Sequence, residues 1–151
     1  MIDFTYLHPM IVHFPIALLV IGFLSEVAGA VLKKQFFSTA ALYLIILGTL
    51  GVVAAYLSGG FAGEGIAESG PMKQALETHE SSAVLTLWLV VVAALVRVAL
   101  AAFKKFHGSF QWFAIALFLV AVLSMARTGH YGGQLVFKHA AGVRLELELN
   151  D

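Results

Sequence analysis

Five of the six histidines of this chain, His8, His13, His79, His130 and His139, fall where apolar segments meet one and the same side of a membrane. Imidazole is the commonest metal and haem-iron ligand among side chains. Ionisable groups near membrane depth cost enough free energy that they mark sites. Taken singly, each of these histidines has a plainer role, as an interfacial side chain bonded to water or lipid headgroups, or as a helix cap. As a convergent group they predict a ligand set. The sixth, His107, lies beside Lys105 on the opposite side and reads as a solvated loop residue.

A zinc or copper ion needs three or four histidines at about 2 Å, whereas haem needs only opposed pairs, an apolar slot and cations for its propionates. The neighbouring residues favour haem. Phe4, Tyr6, Phe14, Tyr56, Phe61, Tyr131 and Phe137 belong to the same end, although an ordinary interfacial aromatic belt has the same composition. Gly129, Gly132 and Gly133 let backbone approach a flat ring, and Arg127 is the expected propionate partner. The chain has no cysteine, which excludes disulfides, thiolate metal sites, iron–sulfur clusters and covalently attached haem. The expected cofactor is therefore haem b, one or two per chain. The expected pairs are His13 with His79, and His8 with His130 or His139. Two histidines on one iron leave no open position, which favours electron transfer over oxygen chemistry. Two rivals are a copper- or zinc-binding protein and a haem-dependent quinone or superoxide oxidoreductase. No hydrolase motif is present.

The elements that must position these residues are membrane helices. The 151-residue chain is 60% hydrophobic and 12% charged, with a mean hydropathy of +0.92, far from average soluble usage. Nine basic and nine acidic residues balance, so there is no electrostatic footprint for nucleic acid. About 20 apolar residues cross the hydrocarbon core. Four stretches qualify, at about 10–32, 38–58, 81–103 and 110–127, and they predict one all-α domain, 1–151, built as an up-and-down four-helix bundle. Pro15 should loosen or kink the first helix. Gly48, Gly51, Ala54, Ala55 and Ser58 permit close helix approach, and Gly59, Gly60 and Gly63 are expected to end the second span. Ser69 and Pro71 look like the start of the third helix, which would project from the bilayer and leave His79 at its rim. The glycine-punctuated run from Gly129 to His139 follows the fourth span.

Basic residues tie between the two sides, but Lys33/Lys34 and Lys104/Lys105 stand in short loops without acids. We place those loops in the cytoplasm and both termini, with the five histidines, in the periplasm of a bacterial inner membrane. The first span is too long for a signal-peptide core and is expected to remain. The expected partners are the lipid bilayer, a quinone or a periplasmic cytochrome, and a second copy of the chain. That homodimer rests on the tail, where Leu145, Leu147 and Leu149 alternate with Arg144, Glu146, Glu148 and Asn150 and so predict a short strand. Deeper in the bundle, Glu26 and Arg97 share one level of the lysine-loop half, where an unpaired charge costs several kcal/mol. They are expected to face inward and pair, as a structural ion pair or as a proton or quinone site.

The run His8-Pro-Met-Ile-Val-His-Phe-Pro-Ile-Ala-Leu18 resembles the opening motif, HPxxVHFPIAL, of a family of small bacterial inner-membrane proteins catalogued as a domain of unknown function. His79-Glu80 matches the family's histidine and charged residue before the third helix. Gly129 to Val143 matches its closing motif, GHxGGxLVxxHGxGV, with Ala140 standing where glycine is expected. The resemblance covers nearly the whole chain and implies a four-helix membrane protein. Association of relatives with cytochrome c modules would imply electron transfer.

Overall fold

A computed structural model describes residues 7–63 and 69–141. Four helices follow one another: α1 (Leu7–Leu32), α2 (Gln35–Gly63), α3 (Gly70–Ala102) and α4 (Gly108–His139). Each packs on its neighbours in sequence, and α1 closes the ring against α4. The closest pairs are α1 with α2 and α3 with α4. The bundle is therefore two helical hairpins laid side by side. Lys33 and Lys34 connect the first hairpin, and residues 103–107 connect the second. Lys33 and Lys104 take left-handed backbone, with φ of 53° and 54°, which turns the chain back within a few residues.

All four helices are long and apolar enough to cross a membrane. Their outward faces carry large apolar side chains, such as Phe14 at 68%, Leu95 at 64% and Trp88 at 60% exposure. In water such a coat would drive aggregation, whereas in lipid it is the solvated surface. The interior is built from Leu19, Ile45, Val52, Val90, Ala93, Phe118, Ala121 and Met125. Small residues let α1 and α2 approach closely: a methyl group built on Gly48 would stand 2.7 Å from the Leu19 side chain, and one on Gly29 would stand 2.9 Å from the Ser38 backbone nitrogen. In hydrocarbon, where burial gives helices no preference for each other over lipid, such van der Waals contact holds them together.

The helices outrun the apolar spans. At 1.5 Å per residue the 33 residues of α3 make a rod about 50 Å long, against a hydrocarbon core of about 30 Å. As expected, α3 starts at Gly70 with Ser69 in the cap position, but the Ser69 side chain makes no capping hydrogen bond. Gly59 and Gly60 do not stop α2, which continues to Gly63. The largest departure is α4, which stays helical through Gly129, Gly132 and Gly133 to His139. Each glycine costs about 1 kcal/mol of helix propensity, and packing against α3 offsets it, with Leu135 buried. Pro15 lies inside α1 without ending it, buried against Gly51. The expected strand and its dimer contact, Val143 to Asn150, lie outside the described residues.

Candidate functional site

His8 and His79 meet at the end of the bundle opposite the lysine loops. Their ring centroids are 6.4 Å apart with planes inclined at 75°, and both side chains are half-buried. Each ring is held by the second helix of its own hairpin. His8 of α1 lies against α2, with Nδ1 3.0 Å from Ser58 Oγ. His79 of α3 lies against α4, with Nδ1 3.1 Å from the Thr128 carbonyl oxygen.

The hydrogen-bond network assigns the tautomers. A carbonyl oxygen only accepts, so His79 Nδ1 must carry the proton. The Ser58 hydroxyl donates to the Ala55 carbonyl at 3.0 Å, leaving its oxygen to accept from His8 Nδ1. In the neutral form both rings then present Nε2 as a free lone pair. That is how protein metal sites orient imidazole, with one nitrogen anchored and the other offered to the ligand.

Glycine makes this placement possible on both hairpins. A methyl group on Gly59 would come within 3.0 Å of His8 Cε1, and one on Gly132 within 3.1 Å of His79 Cε1. Each ring therefore rests on bare backbone, and over any larger residue it would have to give way by a few tenths of an ångström. Below His79 a ladder of hydroxyls joins α3 to α4. Thr86 Oγ1 meets Ser124 Oγ at 2.7 Å and Thr128 Oγ1 at 2.8 Å, and Ser82 Oγ meets Thr128 Oγ1 at 3.0 Å. Ser82 and Thr86 are each 4% exposed.

The profile of a family described as a predicted membrane protein, DUF2231, matches residues 5–145. The chain belongs to that family. No curated protein and no solved structure matches it.

The opening motif of this DUF2231 protein occupies the first turns of α1 and supplies His8; the closing motif occupies the end of α4 and supplies Gly132. The remaining expected ligands are placed differently. His13 is exposed, and its Nδ1 bonds the Pro9 carbonyl of its own helix at 2.6 Å. It does not meet His79, because five residues along a helix from His8 is nearly half a turn away in direction. His130 is exposed and accepts a 2.7 Å hydrogen bond from Gln134. His139 is the last residue of α4. Arg127 is exposed, with Nε 3.4 Å from the Tyr131 hydroxyl. Among the described residues no ring contact joins His13, His130 or His139 to another histidine, and no group of three His, Asp or Glu side chains is arranged to hold an ion.

Glu26 and Arg97 do pair. Arg97 Nε donates to Glu26 Oε2 at 2.6 Å, and Nη2 donates to the Ser38 carbonyl and hydroxyl oxygens, each at 2.9 Å. Ser38 completes the set by donating to Glu26 Oε1 at 3.2 Å. Sequence reasoning missed the partners rather than the charged residues. Ser58, Thr128 and Ser38 looked like ordinary small or polar helix residues. The available signal was the pair of hydroxyls four apart on two consecutive spans, Ser82/Thr86 and Ser124/Thr128, which puts both pairs on single helix faces.

Proposed function

We propose that this DUF2231 protein is a membrane b-type cytochrome in which His8 and His79 would hold one haem. The observation that carries this reading is the pair of imidazoles from separate hairpins, each anchored through Nδ1 and each offering Nε2. Two imidazoles that are to hold one iron between them must stand close together at the same level of the bundle, and the His8 and His79 ring centroids are 6.4 Å apart. Two neutral nitrogen donors, with no third His, Asp or Glu grouped with them to hold an ion among the described residues, suit haem iron better than a tetrahedral zinc site.

Bound haem would supply a one-electron couple. The protein's residues would set its properties: Ser58 and the Thr128 carbonyl raise the donor strength of the rings, and Gly59 and Gly132 keep them from turning. Held by two histidines, such a haem would serve electron transfer between a membrane donor such as a quinol and a periplasmic acceptor such as a cytochrome. In this topology the lysine loops face the cytoplasm, and the histidine end faces the periplasm of a bacterial inner membrane.

The test is the absorption spectrum of purified protein with a haem-to-protein ratio. One haem per chain is expected, lost in His8→Ala and in His79→Ala and kept in His13→Ala and His107→Ala. Colourless protein holding one copper or zinc ion, lost with the same two histidines, would replace haem by a metal-delivery role. Full haem retention in both ligand variants would sink the ligand assignment.

A further inference from the structure

The lysine-loop end of the bundle holds a second arrangement that electron transfer through the histidines does not use. Between α1, α2, α3 and the start of α4 lies a cavity of about 460 Å³, lined among others by Lys33, Lys34, Ser38, Arg97, Phe106 and Gln111. None of its lining residues is acidic. Glu26 lies behind Arg97 and compensates that charge, so the two lysines remain as uncompensated positive charge in the wall.

Arg97 forms the floor. It is 4% exposed, and the Phe106 ring stacks on its guanidinium, with Cζ 3.5 Å from the ring centroid. Nε and Nη2 are committed to Glu26 and Ser38. Nη1 makes no hydrogen bond among the described residues. Every sealed side-chain nitrogen or oxygen there does have a partner, so Nη1 is not sealed, and Arg97 is one of the residues that line the cavity. A nearly buried guanidinium whose plane is fixed, and which has N–H groups left over in the wall of a basic cavity, is suited to receive an anion.

The surroundings narrow the choice of anion. The cavity lies at the lysine-loop end, where the apolar spans give way to charged connections, and Leu42, Ala101 and Phe106 add apolar wall beside the polar groups. A ligand with a charged head and an apolar body fits both. A quinone fits less well: no carboxylate or imidazole lines the cavity to exchange its protons. The 18 residues from His8 to Glu26 also put about 27 Å of helix between this end and the histidines.

We propose that this cavity binds the headgroup phosphate of an anionic phospholipid, with Arg97 Nη1 and the Lys33 and Lys34 ammonium groups as donors. Basic pockets between helices at the membrane surface recognise such headgroups. The Glu26–Arg97–Ser38 set then serves the site by holding the guanidinium rigid, and it does so independently of any haem.

Native mass spectrometry of the full chain in detergent, loaded with phosphatidylglycerol, phosphatidylcholine or inorganic phosphate, tests this. Wild type should retain one phosphatidylglycerol at least ten-fold more tightly than phosphatidylcholine. Lys33→Gln/Lys34→Gln, both in an exposed loop, should weaken that retention about thirty-fold. Lys104→Gln/Lys105→Gln removes the same charge from the other loop on this side, outside the cavity, and should leave retention unchanged. Equal losses in the two double variants would reduce the effect to surface charge and overturn the site. Retention of both lipids alike would overturn the choice of an anionic headgroup. Displacement of phosphatidylglycerol by millimolar inorganic phosphate would assign the site to free phosphate instead of lipid.

Discussion

Glu26→Gln removes one charge from an ion pair whose side chains are only 1% and 5% exposed, so it leaves Arg97 charged and nearly buried. The guanidinium loses the anion at the end of its 2.6 Å bond and keeps the two bonds to Ser38, with at most a neutral amide oxygen in place of the carboxylate. Stranding one member of a buried pair costs about 3–5 kcal/mol. Because Nη1 is not sealed, part of the guanidinium stays solvated, and we place the cost at the lower end, about 3 kcal/mol. The joint change Glu26→Gln/Arg97→Gln leaves two amides of compatible shape and no charge, at about 1 kcal/mol. The double variant should therefore be more stable than Glu26→Gln alone, with a coupling energy of at least about 2 kcal/mol. Unfolding in mixed micelles, followed by Trp88 and Trp112 fluorescence and by circular dichroism, measures all four corners of the cycle. If the single changes add to within about 0.5 kcal/mol, the pair does not act as a unit and the reasoning fails.

Three further outcomes follow from the packing. Gly132→Ala puts a methyl group 3.1 Å from His79 Cε1, whereas Gly133→Ala meets nothing within 4 Å; both gain about 1 kcal/mol of helix propensity, so only the first should lower cofactor affinity, in a titration of the purified protein. Thr86→Val keeps the shape of the side chain but breaks its contacts to Ser124 and Thr128. It should lower stability in bilayer-like micelles by about 1 kcal/mol, and no change would mean that the hydroxyl ladder is dispensable. Ala140 ends α4 in the left-handed region, φ 51° and ψ 31°, with its amide bonded to Val136 and that of Ala141 to Leu135. Ala140→Gly should favour this turn by about 1 kcal/mol, read as slower hydrogen exchange at residues 140 and 141.

That last position shows how far the family motif could be followed. Alanine at 140 departs from the expected glycine. The helix nevertheless closes in the conformation that glycine prefers, because satisfying the carbonyls of Leu135 and Val136 outweighs the backbone cost of a methyl side chain. The run from Gly129 to Gly133 misled in the opposite direction. Three glycines suggested a break, yet His130, Gln134 and Lys138 stand four apart and bond along one helix face, at 2.7 and 3.3 Å. That spacing was visible in the sequence and should have outweighed the glycines.

The sequence by itself determined the solvent, the element type and the end of the bundle at which the histidines lie. Four long apolar stretches with polar connections can satisfy their backbone groups in lipid only as helices, and alternating direction brings the ends of three of them to one level, which is why the histidines could be placed on a common side. The depth of Glu26 and Arg97 was equally legible, because an unpaired charge in hydrocarbon is too costly to leave without a partner. Which histidines meet was not legible. All five share an end of the bundle, and choosing among them depends on how each helix is rotated about its axis. That rotation is set by contacts between helices: Gly48 against Leu19, Gly59 beneath His8, Gly132 beneath His79 and the Ser/Thr ladder between α3 and α4. Only the packed bundle selects His8 with His79 and turns His13 outward, since a rotation of a few tens of degrees exchanges neighbouring faces while leaving the apolar pattern of each span, the only thing lipid reads, almost unchanged.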